Sequence, residues 1–172
     1  MVEIVKDNFK MRPFKSSDAM AFVNGLNTKT IANDTTIDLP CSMDAANWWI
    51  SFILDAEKKK PLPEKHFVID IEGTLVGSIG IINIDKHKGE LGYWLVDKHF
   101  GKGIMSQAIK EMVDYCIKDV GLKRIFAPVL PHNKASARVL EKNNFELEGT
   151  LRKYYRKDGK YIDALCYAYV KD

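Results

Sequence analysis

The chain has 172 residues, 46% of them apolar and 28% charged, the proportions of a globular protein able to bury a core without disulfide or metal support. Its 26 basic and 23 acidic residues leave a net charge of only +3. No basic run is interleaved with aromatics, so a nucleic-acid partner is not expected. No apolar run approaches the roughly 20 residues that cross a bilayer. The charged N-terminus "MVEIVKDNFK" lacks the apolar core of a signal peptide. A soluble, cytoplasmic chain with no membrane partner is expected, folded as a single domain over 1–172. Cys41, Cys116 and Cys166 are too few for a disulfide framework and lack the paired spacing of a zinc site, so no metal is expected. Cys116 falls on an apolar helix face and reads as a buried, inert thiol.

The first predicted element is a strand from Phe9 to Phe14. A helix follows in "KSSDAMAFVNGL", where Ser16 or Ser17 can cap and Asp18 favours the positive end. The polar stretch from Asn27 to Pro40 is expected to be irregular. A second helix starts at Ser42 and runs to Lys59, with Asp44 in its first turn and Trp48, Trp49, Phe52 and Ile53 in helical register. Beyond "KKPLPEK" the period becomes that of strands. "HFVIDIEGTLVGSIGIINI" is a hairpin turning at Glu72-Gly73, and "HKG" at 87–89 turns into a third strand, "ELGYWLV". A long helix then carries apolar residues at 104, 105, 108, 109, 112, 113, 116 and 120 and stops at Gly121. "RIFAPVL" is a strand, "KASARVLEKN" a short helix, and the last two strands turn at "KDGK". The meander pairs antiparallel, whereas the strands flanking the long helix form a β-α-β unit and run parallel. The fold class is therefore α+β, a mixed sheet with helices on its faces.

The most informative stretch is "LVDKHFGKGIMSQAI", residues 95–109, where Gly101 and Gly103 flank Lys102 at a helix start and no carboxylate follows for seven residues. A Walker loop needs different spacing, and a dinucleotide fingerprint needs a third glycine where Ser106 stands. What remains is a glycine-rich turn whose unpaired backbone N–H groups and helix dipole favour an anion, with Lys98 and Lys102 adding charge. A tight turn without a ligand is the competing reading.

The ordered markers "GYWL", "GKGI", "N-x-x-S", "VLEKxxF", "LEGxLR" and "DG" change that balance. From about Glu90 to the C-terminus the sequence resembles the GNAT acetyltransferase superfamily, and most of all its RimJ/RimL-type branch, which acetylates protein N-terminal amines. The resemblance implies a GNAT-like fold: a mostly antiparallel sheet with one splayed parallel strand pair. It implies acetyl-CoA as co-substrate and no metal. Phe100, Gly101, Lys102, Gly103, Ile104 and Met105 align with the family's pyrophosphate loop but differ from it at two of three preferred positions. Phosphate contacts would then come chiefly from backbone N–H groups, and Ser106 could add a hydroxyl. The strand "YWLV", with Trp94, Leu95 and Val96, would hold the pantetheine arm by main-chain hydrogen bonds, carry a bulge and splay from its neighbour, where Pro128 is tolerable. Asn133 would touch the pantetheine as well as cap its helix.

Acetyl transfer needs a neutral amine, a stabilised oxyanion and a proton for the leaving thiolate. The resemblance places the oxyanion contact at the N–H of Leu95 or Val96, and the base at Glu90 or a water chain. Tyr155 stands where relatives carry a glutamate. Leu140 occupies the position of the superfamily's proton-donating tyrosine and cannot donate a proton. Ser136, one turn earlier in "NKAS", matches the serine of the RimL-type branch, and the resemblance makes it the candidate donor. An α-amine with pKa ~7.7–8.0 is about one-tenth neutral at pH 7, and a lysine less than about one part in a thousand, so an enzyme without a strong base suits an α-amine. The expected partners are acetyl-CoA and an amine acceptor, with a protein N-terminus preferred. The alternatives are a small amine (polyamine, sugar amine or aminoacyl nucleotide) and a non-catalytic acetyl-CoA-binding module. A homodimer is one assembly this reading allows. His87, His99 and His132 are dispersed and read as surface or loop residues.

Overall fold

The computed structural model describes residues 3–6 and 8–171. The chain opens with two short strands, β1 (Ile4–Val5) and β2 (Lys10–Arg12). The predicted first strand is thus cut short. Pro13 has no N–H to extend a ladder, and Phe14 turns into the core against Phe22 and Trp49. A 3-10 turn at Ser16–Asp18 leads into α1 (Ala19–Leu26). Neither serine caps it. Asp18 instead accepts the Lys15 N–H at 2.8 Å, and both its oxygens are gripped at 2.8 Å by Arg12. The Nε of Arg12 meets Asp70 at 2.6 Å, and all three side chains are buried.

The stretch expected to be irregular contains α2 (Lys29–Asp34), capped by Thr28, whose hydroxyl accepts the Ile31 N–H. With Ile31 its sole buried residue among the six, this helix has no apolar stripe to announce it. The helix capped by Ser42 is α3 (Met43–Ala56), shorter than the predicted span to Lys59. The meander follows as β3 (Lys65–Ile71), β4 (Thr74–Asp85) and β5 (Lys88–Leu95). Its second turn lies at Lys86-His87, one residue earlier than predicted.

After a 3-10 turn at Asp97–His99, α4 (Ile104–Tyr115) continues into a π-helical turn over Cys116–Val120 and stops at Gly121, whose φ is +83°. The remaining elements are β6 (Arg124–Val129), α5 (Lys134–Glu141), β7 (Glu146–Lys157) and β8 (Lys160–Val170). Asn144, at φ +61°, supplies the left-handed residue beyond α5, and Asp158-Gly159 form the last hairpin turn with φ positive at both.

The eight strands form one sheet in the order β1-β2-β3-β4-β5-β6-β8-β7. Every pairing is antiparallel except β5 with β6. Period-two alternation assigns the two faces. Phe67, Ile79, Leu91 and Ile125 pack under α4 and α5, while Val68 and Trp94 pack on the opposite face with α1 and α3. Cys116 is fully buried on the α4 side, and burial pushes its thiol up to about 12, an inert group. Among the described residues no helix is long and apolar enough to cross a membrane.

Replacing Arg12 by Leu strips two buried carboxylates of their partner. Breaking a buried pair costs about 3–5 kcal/mol, so equilibrium urea unfolding of Arg12→Leu should show a loss of that order. A loss below about 1 kcal/mol would mean that the carboxylates are solvated and the knot is incidental.

Candidate active site

The site begins where two strands part. β5 and β6 are paired only at Lys88↔Arg124, Gly89↔Ile125 and Glu90↔Phe126, yet β6 stays paired with β8 to Val129. Beyond Glu90 the remaining residues of β5 therefore face a gap. Val96 donates its N–H to the carbonyl of Val76 at 2.8 Å. Alternation along the β4–β5 ladder then points the main-chain groups of Trp94 at β4 and those of Tyr93 and Leu95 into the gap. This corrects the expectation for Val96: its amide is spent on the sheet, and Leu95 alone of the two offers a free N–H. On the other wall, Arg124 donates its N–H to His87 on the β5 side, so Pro128, four residues on, also faces the gap. Its missing donor costs no ladder bond there.

The expected bulge in β5 is absent from its pairing with β4, which runs in unbroken register from Glu90 to Leu95. The irregularity lies on β4, between Ile82 and Asp85, where Asn83 takes a left-handed φ of +51° and adds the extra residue. The gap opens because β6 follows β8 away from β5.

A cleft of about 1170 Å³ passes through this gap from one face of the sheet to the other. At its α4 end lies the glycine turn. Gly101 and Gly103 adopt φ of +73° and +75°, and an added Cβ at either would meet only open space. They are glycines for their backbone, not for want of room. The amides of Ile104, Met105 and Ser106 have no intrahelical acceptor, and no acidic residue stands in the first turn. Ser106 accepts a hydrogen bond from Asn143 Nδ2 at 3.2 Å, which leaves its own proton to donate. Phe100 is exposed at the rim; the exposed Lys102 lies outside the cleft lining, as does Val96. His99 tucks its Nε2 into a buried position without a partner among the described residues, and burial together with Lys102 and Lys98 pushes its pKa down.

On the same face, Ser136 in the first turn of α5 meets the Tyr93 hydroxyl at 2.7 Å. Burial pushes the Tyr93 pKa up, so this phenol stays protonated. Tyr93 lies in the strand "YWLV", whose main chain is the expected pantetheine contact; the contact of its phenol with Ser136 is what the sequence does not show. Asn133 caps α5 by accepting the Ser136 N–H at 3.0 Å, and its Nδ2 donates to the carbonyl of Asp34 at the end of α2. Leu140 is fully buried in the core and takes no part in the cleft lining.

The opposite end of the cleft opens under α1, α2 and α3. Glu90 is half-buried there; burial pushes its carboxyl above the usual range, opposed by a hydrogen bond from Asn83 at 3.3 Å. Tyr155 donates to the carbonyl of Pro128 at 3.3 Å, on the gap side of β6. Trp49 is half-buried, packed against the core and stacked on Phe22 at 4.8 Å, whereas Trp48 is 67% exposed and stacked on Phe52. Sequence reasoning missed the pair of half-buried Glu64 and buried His66, which share a hydrogen bond of 2.7 Å and line the cleft. His66 is a lone histidine in a strand, and no local spacing marks it.

The acetyltransferase (GNAT) domain model matches residues 8–146. The chain belongs to the GNAT acetyltransferase family. It is 36% identical over 99 residues to the uncharacterised N-acetyltransferase p20 of Bacillus licheniformis, a stretch covering 56% of each chain. It thus spans little more than half the length of that relative. The whole chain superposes on the ribosomal-protein-S5-alanine acetyltransferase of Vibrio fischeri with a TM-score of 0.91 at 26% identity, covering 98% of that structure. Mycobacterium smegmatis RimJ in complex with CoA-disulfide matches 94% of this chain and 81% of its own, with a TM-score of 0.86 and 26% identity. The GNAT fold, with one parallel pair in a mostly antiparallel sheet, agrees with the sequence expectation.

The half-buried Glu90 carboxylate also makes a stability prediction. Its folded pKa lies above its unfolded one, so ionisation disfavours the folded state as pH rises. Glu90→Gln should therefore unfold at a higher temperature than the unaltered protein at neutral pH. The difference should close below about pH 4, where the carboxyl is protonated in both states. Calorimetry across that range checks it, and a lower melting temperature at neutral pH would refute it.

Proposed function

We propose that the chain is an acetyl-CoA-dependent N-acetyltransferase acting on a primary amine, with the α-amine of a protein N-terminus as its preferred acceptor. The observation that carries this reading is the cleft through the sheet, with an anion-ready glycine turn at one end and a half-buried carboxylate at the other. The pyrophosphate of acetyl-CoA would sit on the amides of residues 101–106, with the hydroxyl of Ser106. The pantetheine arm would lie in the gap as a surrogate strand, bonded to the main chain of Tyr93 and Leu95, and Asn133 would stand beside it.

The thioester is then held where the Leu95 N–H can receive the oxyanion. Attack by the neutral amine forms the N–C bond, and collapse of the tetrahedral intermediate breaks the C–S bond. Ser136, hydrogen-bonded to Tyr93, delivers a proton to the departing thiolate. Glu90 accepts a proton from the nitrogen, and its raised pKa makes it a stronger base than an ordinary carboxylate. The preference for a protein N-terminus rests on the relatives that carry that activity in their names. A small cationic amine is the second reading, favoured by Asp34, Asp38 and Glu64, which join Glu90 along the acceptor arm.

Thiol release from acetyl-CoA should be followed with peptides bearing N-terminal alanine or serine and with spermidine and glucosamine. Turnover on peptides and not on small amines is expected; the reverse would establish the second reading, and CoA binding with no turnover a binding module. Ser136→Ala and Tyr93→Phe should each lower kcat with little change in KM, by about 10-fold or more for the serine. A valine at Gly103 must take a left-handed φ, at a cost of about 1–2 kcal/mol. Calorimetric titration of Gly103→Val should show CoA binding weakened by about tenfold; unchanged binding would remove the pyrophosphate from this turn.

A further inference from the structure

His66 and Glu64 form a second titratable centre in the acceptor arm, and the sheet is built around it. His66, Gly80 and Gly92 are direct cross-strand partners on β3, β4 and β5, so all three face α1 and α3. The imidazole lies over Gly80 so closely that a Cβ there would stand 2.4 Å from His66 Nδ1. An ideal Cβ on Gly92 meets nothing within 4 Å. The two glycines thus make an open trough running from the His66 ring to the gap. Nδ1 lies over β4, about one strand spacing (~4.8 Å) from Gly92. The ring is 8% exposed, packed against Trp49 at 5.2 Å, and its Nε2 is bound to Glu64 Oε2. With Nε2–H donating to the carboxylate, Nδ1 is left as an acceptor over the trough.

We propose that the Glu64–His66 dyad takes the first proton from the acceptor, Nδ1 of His66 being the accepting atom and Glu64 the counter-ion of the imidazolium. This inference rests on the acetyl-transfer reading and divides its base chemistry. An amine arriving as an ammonium ion sheds two protons. The first must leave before attack, and an imidazole is by its chemistry a closer match to an α-ammonium than a carboxylate is. The second leaves after the N–C bond has formed, when the nitrogen on the tetrahedral carbon is far more acidic and a carboxylate suffices. Glu90 takes that one. One proton passes from His66 to solvent, and the other balances the one delivered to the thiolate. The titratable groups sharing the cleft's acceptor side with the dyad are Asp34, Asp38, Cys41, Glu90 and Tyr155; Trp49 and the Gly80 backbone bring none. Lys65, next in the chain, is held by Glu57 and leaves the dyad uncompensated. The arm therefore selects an acceptor that arrives as a cation.

The test is the pH dependence of kcat/KM for His66→Gln with the alanine-terminated peptide, or with spermidine where peptides do not turn over. A deficit of about 10- to 100-fold near pH 6.5 should shrink to within about twofold near pH 9, where the α-amine is already neutral. Glu90→Gln should keep its deficit at both. Hydroxylamine, a nucleophile already neutral near pH 7, should be acetylated equally well by His66→Gln and the unaltered enzyme. Glu64→Gln, which keeps a hydrogen bond to the ring, should repeat the pattern in weaker form and serves where His66→Gln does not fold. A deficit of equal size at both pH values, or none, would overturn the role of His66 while leaving acetyl transfer standing. Absence of turnover by the unaltered enzyme on every acceptor would overturn both.

Discussion

The structure depends on the point at which β5 and β6 part company after Glu90↔Phe126. A sheet interior is normally closed by its own ladder, and an unpaired main-chain group there is costly. Here β5 is held on one side only, by β4, and presents the amides and carbonyls of Tyr93 and Leu95 to an open gap. Such an edge inside a protein is a vacancy for an extended, hydrogen-bonding chain. Pro128 has no donor to offer from the opposite wall, so β6 makes no competing claim on β5 at that level. The gap stays open because neither strand satisfies the other there.

Because the gap pierces the sheet, the alternation of side chains sorts the chemistry by face. Odd positions on β5 (Leu91, Tyr93, Leu95) look toward α4 and α5, and even positions (Glu90, Gly92, Trp94) toward α1 and α3. The phenol that holds Ser136 and the carboxylate that would receive the amine proton therefore lie three residues apart in sequence but on opposite sides of the sheet. The two groups are thus approached from different faces of the sheet, one from the α4 side and one from the α1 side.

What the sequence discloses follows from how local each determinant is. The meander, the α4 stripe and the glycine turn are legible because period and turn chemistry are written within a few residues. Gly101 and Gly103 show their purpose in the left-handed φ that they adopt. The Arg12–Asp18–Asp70 knot is not legible, because its members are separated by up to 58 positions and a lone aspartate before a helix reads as a dipole partner. The role of Val96 is decided by ladder alternation, which sequence alone leaves undetermined. His66 passes unnoticed for the same reason: its seat is a glycine on another strand, and its partner Glu64 lies in a segment that reads as a breaker.

The roof of the acceptor arm extends this reasoning to the helix that carries no apolar period. Six residues of α2 cannot form a stable helix alone, and the segment holds its place through bonds from distant elements. Lys157 on β7 donates to the carbonyls of Ala32 and Thr35, His132 bonds the carbonyl of Asn33, and Thr30 reaches Asp97. Asn133 joins this set with one end of its amide while the other end caps α5. A single side chain thus ties the helix that carries Ser136 to α2 across the cleft. The buried Ile31 anchors the same helix in the core, so α2 is held by one apolar side chain and by polar bonds from three distant elements.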